Sequence, residues 1–392
     1  MSELKTNKIS PAVGTGVTLG DSGDTFTIPA GATITNSGTS TGFSDPARNF
    51  IIDGDFTQWP EGTTKTAVHS QYTSALMMSK TLMQQLVWDA KQTSDSPTVA
   101  ESGHASTYCY HADITTAESA LAVNDYSSAR YHVTANDFSH LHQKEMTLSF
   151  WHKHTKTGTS CVSIGNSASD RYYVATYTQS VADTWEKATI TLTGDTVGTW
   201  LYAGTGVGMH ISFILASGSD YHTTANTWTA GFKVGVNGMA DHTDSASNNF
   251  KIAQVGLYKG SSAPSSFVSV SNATLKLQLE YYIERNDYNS ISNEMTGYNG
   301  YQGSTTVSYI DYAFRSKKRV NPTVSASAAG TFFIGYANSI ATPSSYNASP
   351  NGGVFSNRIQ FATGAIGNAT GGITLLRKGT SAGCFIQADA RH

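Results

Sequence analysis

The sequence predicts an all-β protein, and three observations carry that prediction. Only 14% of the 392 residues are charged, against about 25% in an average soluble domain. Short stretches alternate apolar and polar residues with period two, as half-buried strands do. Clusters of Gly, Ser, Asn and Asp separate these stretches as tight turns would. With 39% hydrophobic and 11% aromatic residues the chain has material for a packed core, unlike a disordered one. The expected order is a short N-terminal β assembly segment (1–47), a central jelly-roll β-sandwich (48–270), a helical connector (271–289) and a C-terminal β-sandwich-like module (290–392).

The N-terminal segment alternates Thr with Phe26, Ile28, Ala32 and Ile34, broken by Pro29–Gly31 into two short strands. Its large apolar side chains are few: Leu4, Ile9, Val13, Val17, Leu19, Phe26, Ile28, Ile34 and Phe43. A piece this small cannot bury a sufficient core alone. It is expected to dock on a partner or on copies of itself, with Phe26, Ile28 and Ile34 as assembly residues. Ser44–Ala47 reads as a turn cluster and hinge.

In the central region Asn49–Trp59 reads as a strand running into a turn. Strands are expected at Met146–Phe150, Cys161–Ile164, Arg171–Tyr177, Trp185–Leu192, Val207–Leu215 and Phe250–Tyr258. Within Tyr72–Ala90, Leu76, Leu82, Leu86 and Val87 have rough helical spacing, although the β-branched and aromatic neighbours also allow strands. The clearest helix covers Ala273–Arg285, near 272–285. Ser271 or Asn272 can cap it, and Leu275, Leu279, Tyr282 and Ile283 share one face. Strand-and-turn sequence then returns at Thr306–Phe314, Thr323–Ser327, Thr331–Tyr336, Arg358–Phe361, Ile373–Leu376 and Cys384–Arg391.

Net charge is −3, and the densest basic run is Arg315–Arg319. This argues against nucleic acid as a partner. No stretch approaches the roughly 18 apolar residues of a membrane span, so no membrane insertion is expected. The first residues lack the apolar core of a secretory signal, which points to synthesis in a cytoplasm. Cys109, Cys161 and Cys384 show neither metal spacing nor a disulfide framework and read as small buried thiols. No cofactor is expected.

Several stretches together resemble bacteriophage tail fibre proteins. Met146–Trp151, Tyr173–Tyr177, Asp183–Leu192 and Ile252–Phe267 look like the jelly-roll module of that family. Leu275–Tyr282 is similar to its hydrophobic segment ending in paired tyrosines. Phe314–Pro322 and Phe385–Ala390 resemble its C-terminal β module, and Gly23–Gly38 resembles segments of marine phage fibres. The resemblance implies a virion structural protein, made in the host cytoplasm. It further implies a homotrimer that attaches to the tail or to another fibre protein by its N-terminus and binds a host-surface glycan or protein. Related carbohydrate-binding jelly rolls hold a structural calcium between the opening strand and a closing acidic pair. Here Asp53 and Asp55 stand near the opening, but Lys251–Val255 lacks the acidic pair.

Two His-x-His pairs stand out, His140 with His142 and His152 with His154. Alternate residues on a strand share a face, so each pair can present two imidazoles to a metal. Against this, His152 and His154 continue the parity of Met146, Leu148 and Phe150, so they read as polar residues at a sandwich edge, continuing that face outward. Trp151, Trp185 and Trp200 lie in or beside strand patterns and read as packing residues. Trp88, Trp228, Tyr298, Tyr301 and Tyr346 lie in loop-like surroundings and are the sugar-stacking candidates. Their settings, Met295–Gly303 and Tyr346–Gly352 above all, mix aromatic rings with Asn and Gly. No Gly-x-Ser-x-Gly elbow or His-Glu-x-x-His occurs, and Asp241–Asp244 reads as a solvated turn. The expectation is a binding protein without enzymatic activity; a polysaccharide depolymerase and a purely structural tail adaptor are the alternatives.

Overall fold

The computed structural model describes residues 48–118, 120–288, 295–336, 339–348, 352–363, 373–379 and 384–392. The assembly residues Phe26, Ile28 and Ile34 lie outside the described residues. The first module comprises β1 (Thr64–Lys65), β2 (Met77–Thr81), β3 (Val87–Thr93), β4 (Cys109–Thr116), β5 (Tyr126–Thr134), β6 (Glu145–His154), β7 (Gly158–Asn166), β8 (Arg171–Gln179), β9 (Glu186–Thr193), β10 (Val207–Ser217), β11 (Trp228–Ala230) and β12 (Asn249–Lys259). Helical turns α1 (Val99–Ser102) and α2 (Ala135–Phe138) interrupt it. The strands make two antiparallel sheets, β1-β3-β4-β12-β6-β9 and β11-β8-β7-β10-β5-β2, a jelly-roll-like β-sandwich.

Alternation places Leu148, Phe150, Ile190 and Ile252 of the first sheet against Val162, Ile164, Ile211 and Phe213 of the second. The Phe150 and Phe213 rings meet edge to face, 5.0 Å apart. All six of the strands expected between Met146 and Tyr258 occur, several of them longer than expected. Tyr72–Ala90 contains no helix, because β2 and β3 are drawn into the two sheets by pairing with β5 and β4. Asn49–Trp59 is not a strand either. Asp53 and Phe56 have φ of 59° and 52°, which breaks the pleat, and the segment turns alongside β12, with Phe50 N–H donating to the Leu257 carbonyl at 2.9 Å.

Helix α3 (Asn272–Glu280) is capped by Ser271, whose hydroxyl accepts from Thr274 N–H at 3.2 Å. Leu275 and Leu279 pack into the sandwich core. The helix ends five residues short of Arg285. The carbonyls of Tyr281 and Tyr282 accept from Arg319 and Ala390 N–H at 2.8 and 2.7 Å, and the chain continues as β13 (Ile283–Tyr288), paired with β22. The remaining strands are β14 (Met295–Ser304), β15 (Val307–Ala313), β16 (Thr323–Ala326), β17 (Phe332–Tyr336), β18 (Ser339–Ala341), β19 (Ser345–Ala348), β20 (Ser356–Ala362), β21 (Ile373–Lys378) and β22 (Cys384–Asp389). They form a three-stranded sheet, β13-β22-β16, and a seven-stranded sheet, β18-β17-β21-β14-β15-β20-β19. Ile310, Phe332, Ile334, Ile359, Phe361 and Ile386 form their common core.

The C-terminus clasps the two modules together. The Arg391 guanidinium pairs with Asp389 and, at 2.8 Å, with Glu61 of the first module. The Tyr72 hydroxyl donates to the His392 carbonyl at 3.0 Å. Lys318 and Glu284 form a fully buried ion pair at 2.7 Å within the second module. Cys109, Cys161 and Cys384 are buried.

Candidate functional site

The seven-stranded and three-stranded sheets each end in an edge strand, β19 and β16, and these edges face one another. Tyr346 on β19 bridges the gap. Its hydroxyl accepts from Ala326 N–H at 3.0 Å and donates to the Ala326 carbonyl at 2.8 Å. An edge strand exposes unpaired main-chain groups, and here one side chain satisfies both groups of one residue. Beside this bridge an open cleft of about 540 Å³ is lined by Asn321, Pro322, Thr323, Tyr346, Asn347 and Asn357, among others. At its wall, a Cβ on Gly352 would sit 2.0 Å from the Asn357 side-chain nitrogen, so a larger residue there would displace that amide.

No Asp, Glu, Lys, Arg or His is among the lining residues. The amides of Asn321, Asn347 and Asn357 each carry donor and acceptor atoms, and the half-buried Tyr346 ring is held rigidly by its hydroxyl. Such a surface suits a neutral, polyhydroxylated ligand, whose C–H face lies on an aromatic ring while its hydroxyls meet amides. Asn347 and Gly352 fall within the Tyr346–Gly352 motif legible in the sequence. Asn321, Thr323 and Asn357 do not; the bend at Asn321 and the pairing of β16 and β20 bring them in.

The other sugar-stacking candidates occupy different environments. Trp88 is a correction: it is 0% exposed on β3, inside the sandwich core. Trp228 is on β11, half-buried against Tyr173 and Trp200, with its indole N–H donating to the Thr193 carbonyl at 2.8 Å. Tyr298 packs edge-on to Tyr312, 5.0 Å away, at the border of the second core. Both serve packing instead of standing free in loops. Tyr301 is exposed. It pairs across β14 and β15 with Tyr309, and the Arg358 guanidinium lies over both rings at 5.4 and 5.8 Å.

The two histidine pairs occupy different settings, and the His152 and His154 rings lie 5.3 Å apart. His140 is exposed and His142 half-buried in the turn after α2, where His142 stacks on Tyr202 at 4.6 Å. His152 and His154 continue their strand's apolar face inward, not outward to an edge. His152 Nδ1 bonds Gln179 Oε1 at 2.8 Å, and His154 Nε2 bonds the Tyr177 hydroxyl at 3.1 Å. Burial holds both below the ordinary imidazole range. Among the described residues no group of three or more His, Cys, Asp or Glu is arranged to hold a metal. Asp53 accepts from Thr57 and Gln58 N–H, and Asp55 from the Ser106 hydroxyl and the His104 ring. Burial pushes the Asp53 carboxyl up to about 7 despite those donors.

No family model and no curated protein matches this chain. Among solved structures, TmCBM61 in complex with beta-1,4-galactotriose aligns at 10% identity over 55% of this chain and 100% of its own, with a TM-score of 0.28. A putative sugar binding protein from Bacteroides thetaiotaomicron aligns at 11% identity over 54% of this chain and 100% of its own, TM-score 0.31. The family 11 carbohydrate-binding module of a Clostridium thermocellum cellulosomal cellulase aligns at 12% identity over 52% and 99%, TM-score 0.27. At these identities and scores the likeness carries no information on ligand or site.

Proposed function

We propose that this chain is a receptor-binding subunit of a bacteriophage tail fibre that holds a neutral host-surface glycan in the Tyr346 cleft. The observation behind the binding step is that cleft: an open, uncharged surface of three asparagine amides, a threonine and a fixed tyrosine ring. It acts by binding, not catalysis. Residues 1–47 attach it to the tail or to another fibre protein, and three copies assemble so that weak single sites add by avidity. The core-poor composition of the first 43 residues and the sequence resemblance to tail fibres support this placement.

The test is calorimetric titration of the full chain with neutral oligosaccharides prepared from the host surface. Asn347→Ala and Asn321→Ala are each expected to weaken binding about tenfold, the loss of a well-made hydrogen bond, and to reduce competition with phage adsorption in parallel. Binding unchanged in both variants rejects the cleft. Release of new reducing ends from the polysaccharide supports the depolymerase reading instead. A native mass equal to one 41.8 kDa chain rejects the trimer.

A further inference from the structure

The outer face of the seven-stranded sheet carries an aromatic and polar strip that begins where the Tyr346 cleft ends. Ile310, Tyr312, Ile359 and Phe361 point into the core of the second module, so their strand neighbours Tyr309, Asp311, Arg358 and Gln360 point outward. Register lines up four outward residues in one cross-strand row, Tyr301–Tyr309–Gln360–Asn347, over β14, β15, β20 and β19. With neighbouring strands about 4.8 Å apart, the row is about 14 Å long. Its last residue, Asn347, is also a wall residue of the cleft.

The row is open and flat. Tyr301 is 37% exposed and Asn347 is exposed, with Tyr309 and Gln360 half-buried between them. The Tyr309 ring lies down on β14: a Cβ on Gly303 would come within 2.3 Å of its ring carbons, so glycine leaves the room that this ring occupies. Tyr301 stands beside it, with ring centroids 5.2 Å apart and planes inclined at 35°. On one side the next row, Val307–Ala362–Ser345, carries short side chains, so none of them rises above the strip.

On the other side stand Asp311 and Arg358, an ion pair at 3.0 Å whose side chains are 57% and 48% exposed. The guanidinium carbon is 5.4 and 5.8 Å from the two ring centroids. Arg285, by contrast, lies 3.7 Å from the Phe385 centroid, so Arg358 borders the tyrosine rings without stacking flat on either. An ion pair this exposed contributes little to stability. A guanidinium has five N–H donors and a carboxylate about four acceptor sites, so the pair has hydrogen-bonding capacity beyond its own bond. Two aromatic rings thus lie beside a donor, an acceptor and the amide of Gln360.

We propose that this strip continues the glycan site of the cleft. The ligand is an extended, neutral polysaccharide chain bound along its length, not a single terminal sugar. It leaves the cleft at Asn347, crosses β20 at Gln360 and lays a sugar ring on Tyr309 and Tyr301, where Asp311 and Arg358 meet its hydroxyls. This rests on the reading of the Tyr346 cleft as a glycan site, and it adds chain length as the property recognised.

The test is calorimetric titration of the full chain with neutral host-surface polysaccharide, partially hydrolysed and separated by length. Affinity of the native chain should rise about tenfold between fractions that fill only the cleft and fractions long enough to reach Tyr301. Tyr309→Ala and Gln360→Ala should each remove about tenfold of the affinity for long fractions, through loss of a ring contact and of a hydrogen bond, and leave short fractions unchanged. Asn321→Ala should weaken both. Gln360→Ala leaves both rings in place, so it carries the test if Tyr309→Ala lowers the melting temperature. Affinity independent of length, with both strip variants equal to the native chain while Asn321→Ala still weakens binding, overturns the strip and keeps the cleft. Asn321→Ala and Asn347→Ala without effect overturn the cleft, and with it the continuation onto the sheet face.

Discussion

The two β modules treat polar side chains between their layers in opposite ways. In the first module a complete six-stranded sheet lies beneath a packed segment, and its polar rows are sealed from water. In the second, two edge strands approach without pairing, and the polar groups at their junction line an open cleft. The first arrangement buries Arg130, whose Nε donates to Ser212 Oγ at 2.8 Å; the second exposes neutral amides. The sealed face leaves no opening to solvent, whereas the open edge has room for a polymer of hydroxyl groups. Strand closure, more than the choice of residues, separates them.

The sharpest way to break this comparison is to contrast two buried cations. Lys318 is compensated: it donates to Glu284 at 2.7 Å, and Arg315 N–H also donates to Glu284 at 2.9 Å. Lys318→Met leaves Glu284 buried and unpaired and should cost about 3–5 kcal/mol of stability by denaturant unfolding. Arg130→Met should instead leave stability unchanged or raise it by about 1 kcal/mol, since Arg130 is buried and among the described residues no carboxylate forms an ion pair with it. A large loss in both variants would erase the distinction.

A smaller effect is expected at the edge junction. Tyr346→Phe removes the bridge to Ala326 and leaves a main-chain N–H and C=O without that partner, at a cost of about 1–3 kcal/mol. A loss confined to thermal stability, with glycan binding intact, would show that Tyr346 is a clasp alone.

Acid should separate the modules further. Burial lowers His210 and His242 to about 3 and His392 to about 4, and all three pack in or against the first module. The unfolded chain binds protons at an ordinary pKa near 6.5, so it gains protons that the folded chain refuses. Stability is therefore fully present above about 6.5 and lost as pH falls toward 3. Asp53 works the other way: its carboxyl, raised to about 7, favours the folded state as pH falls from 7 toward its unfolded value. The several histidines outweigh this one group, so melting temperature should drop progressively between pH 6 and 4. A flat profile would contradict the burial of the imidazoles.

The least effect is expected from Tyr301→Ala. The ring is exposed and its contacts are a surface tyrosine and Arg358, so stability should change by less than about 1 kcal/mol. A loss of binding to short glycans at this position would move the ligand from the edge cleft to the sheet face.

Period-two alternation and turn residues alone determined the all-β class and the central strands between Met146 and Tyr258, and three- and four-residue apolar spacing located the helix after a cap at Ser271 or Asn272, because each rests on neighbours in sequence. Pairing between distant strands decided the rest. Leu76, Leu82, Leu86 and Val87 have rough helical spacing, yet Met77–Thr81 and Val87–Thr93 pair with β5 and β4 as strands, leaving the three leucines in the connections beside them. Trp88 has a loop-like setting in sequence, yet β3 carries it into the core. Tyr346 was visible as an aromatic among Asn and Gly, but its cleft requires Asn321 from the bend before β16 and Asn357 from β20. The buried polar residues Arg130, Ser163, His210 and Ser212 of the second sandwich sheet left no local trace, because they are scattered singly among apolar strands. Register alone sets them side by side, and a covering segment drawn from elsewhere in the chain removes them from water.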